Sequence, residues 1–232
     1  MTPTTEEYLV YLERLRGASA RTLEAYRRDL GRYAAFLEAG GAAPETATRA
    51  DLRSFVAALS DEGLAANSVN RILSALRGFH AWMARYGRRA DDPAAGVRNL
   101  KTAKNLPSFL WEDEMAGFAR LPGSSGRLWP ERDTALILVV YSGGLRAAEA
   151  VGLKLGDLAD DLSGARLIGK GDKERRVFFS PEAVEALRAY LPARAAAAGA
   201  AAGSDAPTEA LFVSRRGAGL SSNGLRWIIG QY

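Results

Sequence analysis

The chain has 232 residues, 47% apolar and 25% charged, enough for two small domains or one large one. It carries no cysteine and one histidine, His80, which excludes disulfides and thiolate metal sites, argues against any His-based metal centre and fits a reducing cytoplasm. No apolar run reaches the roughly 18 residues of a membrane span and no secretory signal opens the chain, so no membrane partner is expected.

The formal net charge of +4 lies wholly in residues 1–105, where 16 Lys and Arg face 12 Asp and Glu. That excess, nearly all arginine, favours DNA or RNA as the partner of the N-terminal part. A composition rich in Arg and Ala accounts for it equally well.

The first hundred residues predict four short helices. Tyr8, Leu9, Leu12 and Leu15 mark the first. Leu23, Tyr26, Leu30, Tyr33 and Leu37 step by three and four, which is one apolar helical face. Thr48 with Asp51 has the pattern of a capping box ahead of Leu52, Phe55, Val56 and Leu59. Val69, Ile72, Leu76, Phe79 and Met83 give the fourth face. Together they predict a small helical bundle over residues 1–92. Residues 93–108 read as an exposed basic linker, and residues 109–232 as a second domain.

In that second domain, Glu112 to Leu121 predicts a helix, Glu131 to Tyr141 a buried one, and Arg146 to Leu153 another. Residues 166–179 predict strand, tight turn and strand, with Lys170 between two glycines at the tip. Ser180-Pro181-Glu182 starts a helix through a capping hydroxyl and a proline at the first position. The Ala- and Gly-rich run from Ala193 to Gly203 reads as the loop in which that helix ends. Leu211 to Val213 reads as a short strand, and Asn223 to Ile229 as a last helix.

Two cations are candidates for phosphate chemistry. Arg146 follows Gly143-Gly144, where the backbone can turn sharply, and its guanidinium can fork onto two oxygens of a pentavalent phosphorane. The plainer reading pairs Arg146 with Glu149 one helical turn on. Lys170 at a hairpin tip can donate a proton to a leaving oxygen; the plainer reading is a solvated turn lysine. A third reading takes Gly164 to Lys170 as a P-loop, but Gly171 stands where Ser or Thr is needed and a strand follows instead of a helix.

Two helices of the bundle carry residues suited to a DNA groove: Arg21, Thr22, Tyr26 and Arg28 on one, Asn70, Arg71, Ser74 and Arg77 on the other. Arginines suit phosphates and small polar groups suit base edges, while an ordinary solvated face has the same spacing. Lys101 and Lys104 in the linker can lie along a phosphate backbone. His80, next to Phe79 on a helix, reads as a packed or surface histidine.

Taken together these segments resemble the tyrosine recombinase (phage integrase) family, and most of all its bacterial Xer branch. Ser19…Thr22…Tyr26…Asp29-Leu30 and Ser68…Arg71…Leu73 to Arg77…Phe79 resemble its core-binding helices. Asp92-Pro93-Ala94 and Leu106-Pro107 resemble its linker. Tyr141-Ser-Gly-Gly-Leu-Arg146…Glu149…Gly152-Leu153 resembles its first arginine motif, and Gly169-Lys-Gly-Asp-Lys-Glu-Arg175 its lysine hairpin. Leu211-Phe212 and Ser214 to Gly217 resemble the strand and turn that follow.

The resemblance implies a mainly α fold with a small β-sheet (α+β), a four-helix DNA core-binding domain followed by a catalytic domain. It implies double-stranded DNA as partner, four protomers on paired sites in the full-length protein, and no metal or nucleotide cofactor. A tyrosine would attack the scissile phosphate, Arg146 would stabilise the phosphorane and Lys170 would protonate the leaving 5′ oxygen.

Thr is usual in the family where Gly143 stands, and Ser-Glu-Leu where Ala148-Glu-Ala150 stands. The larger departure is that neither a His-x-x-Arg motif nor a nucleophilic tyrosine beyond it is found. His80 is in the wrong domain, and Tyr232 follows Lys170 too closely and reads as the continuation of the last helix. The expectation is a catalytic domain that stops short of its catalytic end and is inactive alone. It is either part of a longer recombinase or a non-catalytic DNA-binding remnant competing for a recombination site. Apolar surface along Ala135 to Tyr141 and Leu225 to Ile229 is expected to be exposed.

Overall fold

The computed structural model describes residues 2–102, 109–124, 126, 129–168, 174–200 and 208–232. The chain forms two units, Met1–Leu106 and Pro107–Tyr232.

The first unit is the expected helical bundle: α1 Pro3–Arg16, α2 Ala20–Ala39, α3 Arg49–Asp61 and α4 Ala66–Arg85. Local chemistry sets the starts. The Thr2 and Ser19 side chains accept from the N–H groups of Thr5 and Thr22, and Thr48 with Asp51 closes the capping box. The apolar faces meet in one core built around Tyr33, Leu37, Leu52, Phe55, Leu76 and Phe79. Leu15 is the exception: it points to solvent.

His80 is buried in this core, as a packed histidine. Its Nε2 lies 3.1 Å from the Tyr33 hydroxyl, and the Arg89 guanidinium lies 3.4 Å from its Nδ1. Burial, reinforced by the Arg89 charge, pushes its pKa down to about 3.

The segment after the bundle differs from a freely exposed linker over its first part. Asp92 Oδ1 accepts from the Ala94 N–H at 2.9 Å, Ala94 and Val97 are buried in the bundle core, and Leu100 packs against it. Apolar residues recurring every three positions here cover the core without forming a helix. Arg98, Asn99, Lys101 and Thr102 remain exposed.

The second unit contains α5 Glu112–Ser124, α6 Pro130–Ser142, α7 Ala147–Gly152, a 3₁₀ turn Leu155–Asp157, β1 Gly164–Ile168, β2 Glu174–Phe178, α8 Pro181–Ala200 and α9 Ser222–Ile229. The two strands pair antiparallel, with Leu167 opposite Arg175. That is strand and strand, not the strand and helix of a P-loop. The core gathers Leu136, Val139, Leu187, Tyr190, Phe212 and Leu225 around α6.

Two expectations are corrected. The Ala-rich run is helical through Ala200, because alanine has the highest helix propensity; Pro192, twelve residues into α8, does not end it. Leu211 to Val213 does not form a sheet strand. It is fully buried and held by isolated bridges, Lys154 with Ala210 and Val213 with Gly219. The Tyr190 hydroxyl donates to the Leu211 carbonyl and accepts from the Val213 N–H, satisfying this irregular buried backbone.

The expected apolar exposure is also narrower. Ala135, Leu136, Ile137, Val139, Leu225 and Ile228 are buried, and of the large apolar side chains in those two segments only Tyr141 and Trp227 stand more than half exposed. Among the described residues no helix is long and apolar enough to cross a membrane.

Candidate functional site

Arg146 is presented by a turn. α6 ends at Ser142, and Gly144 takes a φ of 58°, a left-handed conformation that favours glycine. A Cβ on Gly143 would lie 3.0 Å from the Val139 carbonyl and 3.1 Å from the Phe179 ring, so the position expected to carry Thr is closely packed here. Leu145 is buried and anchors the turn, leaving the next residue, Arg146, as the N-cap of α7 with its side chain 78% exposed.

Glu149 organises the surroundings of Arg146. One carboxylate oxygen accepts from the Arg146 backbone N–H at 2.8 Å and the other from Arg146 Nη1 at 2.9 Å. Arg175, on β2, forks onto the same carboxylate with both contacts at 3.0 Å. The fork from Arg175, then the bonds from Arg146, hold the Glu149 pKa down at about 2, so it is fully ionised at neutral pH. The sequence names Glu149 as a plain partner for Arg146 and as part of the arginine motif, and gives Arg175 no role of its own. An arginine on the strand leaving the lysine-tipped turn was the available signal.

Among the described residues, Nε and Nη2 of Arg146 have no partner, which leaves one edge of a guanidinium free for a two-oxygen anion. The open cleft beside it is lined by Arg146, Glu149, Lys154, Asp157, Arg166 and Glu209. Lys154 is paired with Glu209 at 2.9 Å and Arg166 with Glu174 at 3.9 Å. Of these three cations Arg146 has the most exposed side chain, 78% against 59% for Lys154 and 55% for Arg166. Lys170, like Lys104, lies outside the described residues. The strands that flank Lys170 are described, and Glu149 ties the second of them to α7.

Tyr232, read from sequence as continuing the last helix, follows α9 with its N–H on the Ile229 carbonyl. Its hydroxyl donates to Asp133 Oδ2 at 2.8 Å, and Asp133 is itself paired with the buried Arg132 at 2.7 Å.

The bundle residues divide into two groups. Arg21, Thr22, Arg28 and Ser74 are exposed, Tyr26 is half-buried, and Lys101 is exposed. The other three are engaged within the unit. Arg71 forks onto the buried Asp29, with one contact at 3.0 Å, which raises the guanidinium pKa above its ordinary value. Asn70 bonds the Leu100 backbone twice, Oδ1 accepting from its N–H at 2.8 Å and Nδ2 donating to its carbonyl at 3.0 Å. Arg77 donates to the Val97 carbonyl at 2.6 Å. Sequence reading offered all three to DNA, because partners 20 to 42 residues away leave no trace in local spacing.

Comparison with known proteins places both units. Residues 5–87 match the model for the phage integrase N-terminal SAM-like domain, and residues 124–232 match the model for the phage integrase family. Tyrosine recombinase XerC of Treponema denticola is 36% identical over 238 residues, covering 100% of this chain and 78% of that protein. XerC of Xylella fastidiosa strain 9a5c is 38% identical over 191 residues, covering 82% of this chain and 64% of that protein. The chain thus spans less than two thirds of the Xylella relative.

Among solved structures, a lambda integrase (75–356) dimer bound to a COC' core site matches with a TM-score of 0.70 at 18% identity, covering 98% of this chain and 78% of that one. A lambda integrase tetramer bound to a Holliday junction matches at 0.69 and 19%, covering 98% and 63%. At these identities the likeness establishes a shared fold.

Proposed function

This chain belongs to the phage integrase family, the tyrosine recombinases, and on that premise we propose that it acts in site-specific DNA recombination. Its partner is double-stranded DNA, and in the full-length protein other recombinase protomers join it on paired sites. Relatives of the Xer kind and the DNA-bound integrases that share the fold support this reading. The observation that carries it is the free edge of Arg146, whose Glu149 partner is also held by Arg175 on β2.

In the proposed reaction a tyrosine oxygen attacks the scissile phosphorus, a 3′-phosphotyrosine ester forms and the 5′ oxygen leaves. Arg146 takes two oxygens of the phosphorane, where its fixed charge stabilises the transition state more than the ground state. Lys170 gives the leaving 5′ oxygen its proton. Arg21, Thr22, Tyr26, Arg28, Ser74, Lys101 and Lys104 contact the duplex, and Asn70, Arg71 and Arg77 support that face. The reaction also needs a second arginine and histidine clamp, and these 232 residues contain no His-x-x-Arg motif. For these residues we therefore propose DNA binding and one half of the phosphate clamp.

The test is binding of a duplex recombination site across a salt series, followed by incubation with a nicked suicide duplex and a denaturing gel. Affinity that falls steeply with salt and no covalent adduct support the proposal. Affinity that is flat in salt, or an adduct through Tyr232, overturns it.

A further inference from the structure

Asn70 and Arg77 sit seven residues apart on α4, which places them on the same helix face two turns apart, about 10.5 Å along the axis. Their partners, Leu100 and Val97, are three residues apart on non-helical chain, a span of roughly 10 Å. The two spacings match, so residues 97–100 are pinned at both ends, running antiparallel to α4. Asn70 does this as a neighbouring strand would, accepting the Leu100 N–H and donating to the Leu100 carbonyl. Between and beside the pins, Val97 is buried and Leu100 packs on the core, while Arg98 and Lys101 point to solvent.

We propose that Asn70 and Arg77 are positioning residues that hold residues 97–101 on α4 and so present Arg98 and Lys101, pre-ordered, to the phosphates of the duplex. This rests on the DNA-binding reading above. Neither side chain reads a base. Their contribution is the ordering cost that Arg98 and Lys101 no longer meet on binding, which is independent of DNA sequence.

The experiment uses the whole chain carrying Asn70→Ala, Arg77→Ala, Arg98→Ala with Lys101→Ala, and each combination. Trypsin cleavage after Arg98 and Lys101 reads the clamp directly, and urea unfolding of the same variants reads the bundle. Affinity is measured on a recombination-site duplex and on a scrambled one. The expected result is faster cleavage at both positions and a loss of about three- to tenfold in affinity on both duplexes. Asn70→Ala should add no loss once Arg98 and Lys101 are alanine, because the positioned groups are gone. Arg77→Lys, which keeps a donor for the Val97 carbonyl, should restore protection.

Unchanged cleavage overturns the clamp. A loss confined to the recombination-site duplex, or one that persists in the Arg98/Lys101 background, overturns the positioning role, since it would mean base reading or general damage. If the unaltered chain binds neither duplex, the DNA-binding reading fails and the presentation role with it. The cleavage rates would still report whether α4 holds the segment.

Discussion

Arg175 and Glu149 are joined by a two-pronged ion pair, each guanidinium nitrogen 3.0 Å from its own carboxylate oxygen. The same carboxylate caps the Arg146 backbone N–H and holds one of its guanidinium nitrogens. One half-buried acid thus ties α7, which Arg146 caps, to β2. Glu149→Gln keeps the size and removes the charge. It is expected to weaken both ties, speed proteolysis at the hairpin and reduce DNA affinity several-fold, with the bundle unaffected. Proteolysis mapped by mass spectrometry checks this; unchanged hairpin cleavage would rule the tie unimportant.

The Glu149 pairings also set a pH window. With a folded pKa of about 2 against an ordinary 4.5, the carboxylate contributes stability that is fully present above pH 4.5 and fades as pH falls toward 2. The stability gap between the parent chain and Glu149→Gln should therefore be constant from pH 7 to 5 and close below. Urea unfolding at stepped pH measures it, and a gap that closes already at pH 6 would point to another group.

His80 acts in a different window. Its folded pKa of about 3 lies below the ordinary 6.5, so unfolding takes up a proton between those values and stability falls as pH drops below 6.5. The slope from this one group is at most about 1.4 kcal/mol per pH unit. His80→Phe should flatten the dependence between pH 6.5 and 5 in the first unit. Tyr33, Arg89 and Asp91 face the imidazole, and the buried Tyr33 hydroxyl stays neutral throughout this range.

Gly144→Ala is expected to destabilise the second unit by about 1 kcal/mol or more, because a side chain at φ 58° is strained. Since this turn aims Arg146, DNA affinity should drop with stability. Denaturant unfolding and a binding isotherm on the same variant check both effects.

Tyr190→Phe removes one hydroxyl that serves two buried backbone groups, the Leu211 carbonyl and the Val213 N–H. An expected cost of about 1–3 kcal/mol follows from leaving a buried donor unmet. Denaturant unfolding that shows no loss would mean the segment relaxes onto another partner.

Arg21→Gln and Arg28→Gln should each lower the slope of log affinity against log salt by about 1 and weaken binding uniformly across sequences. A slope unchanged in both would remove these side chains from the phosphate-contacting set.

Sequence by itself determined the parts whose cause is local. Apolar spacing marked the four bundle helices, Thr48 with Asp51 announced a helix start, Gly143-Gly144 announced the turn before Arg146, and the motif order identified the family. The Ala193 to Ala200 run was misread because its glycine and low complexity outweighed alanine's helical preference. Only the tertiary structure decided what the polar side chains do. Asn70, Arg71 and Arg77 looked like a DNA face, yet their hydrogen bonds run to Leu100, Asp29 and Val97. Arg175 looked incidental, yet it braces Glu149. The physical reason is range. Helix and turn formation depend on neighbours a few residues away, whereas a charged or amide side chain takes whichever partner the packed core brings within 3 Å, and chain spacing does not encode that.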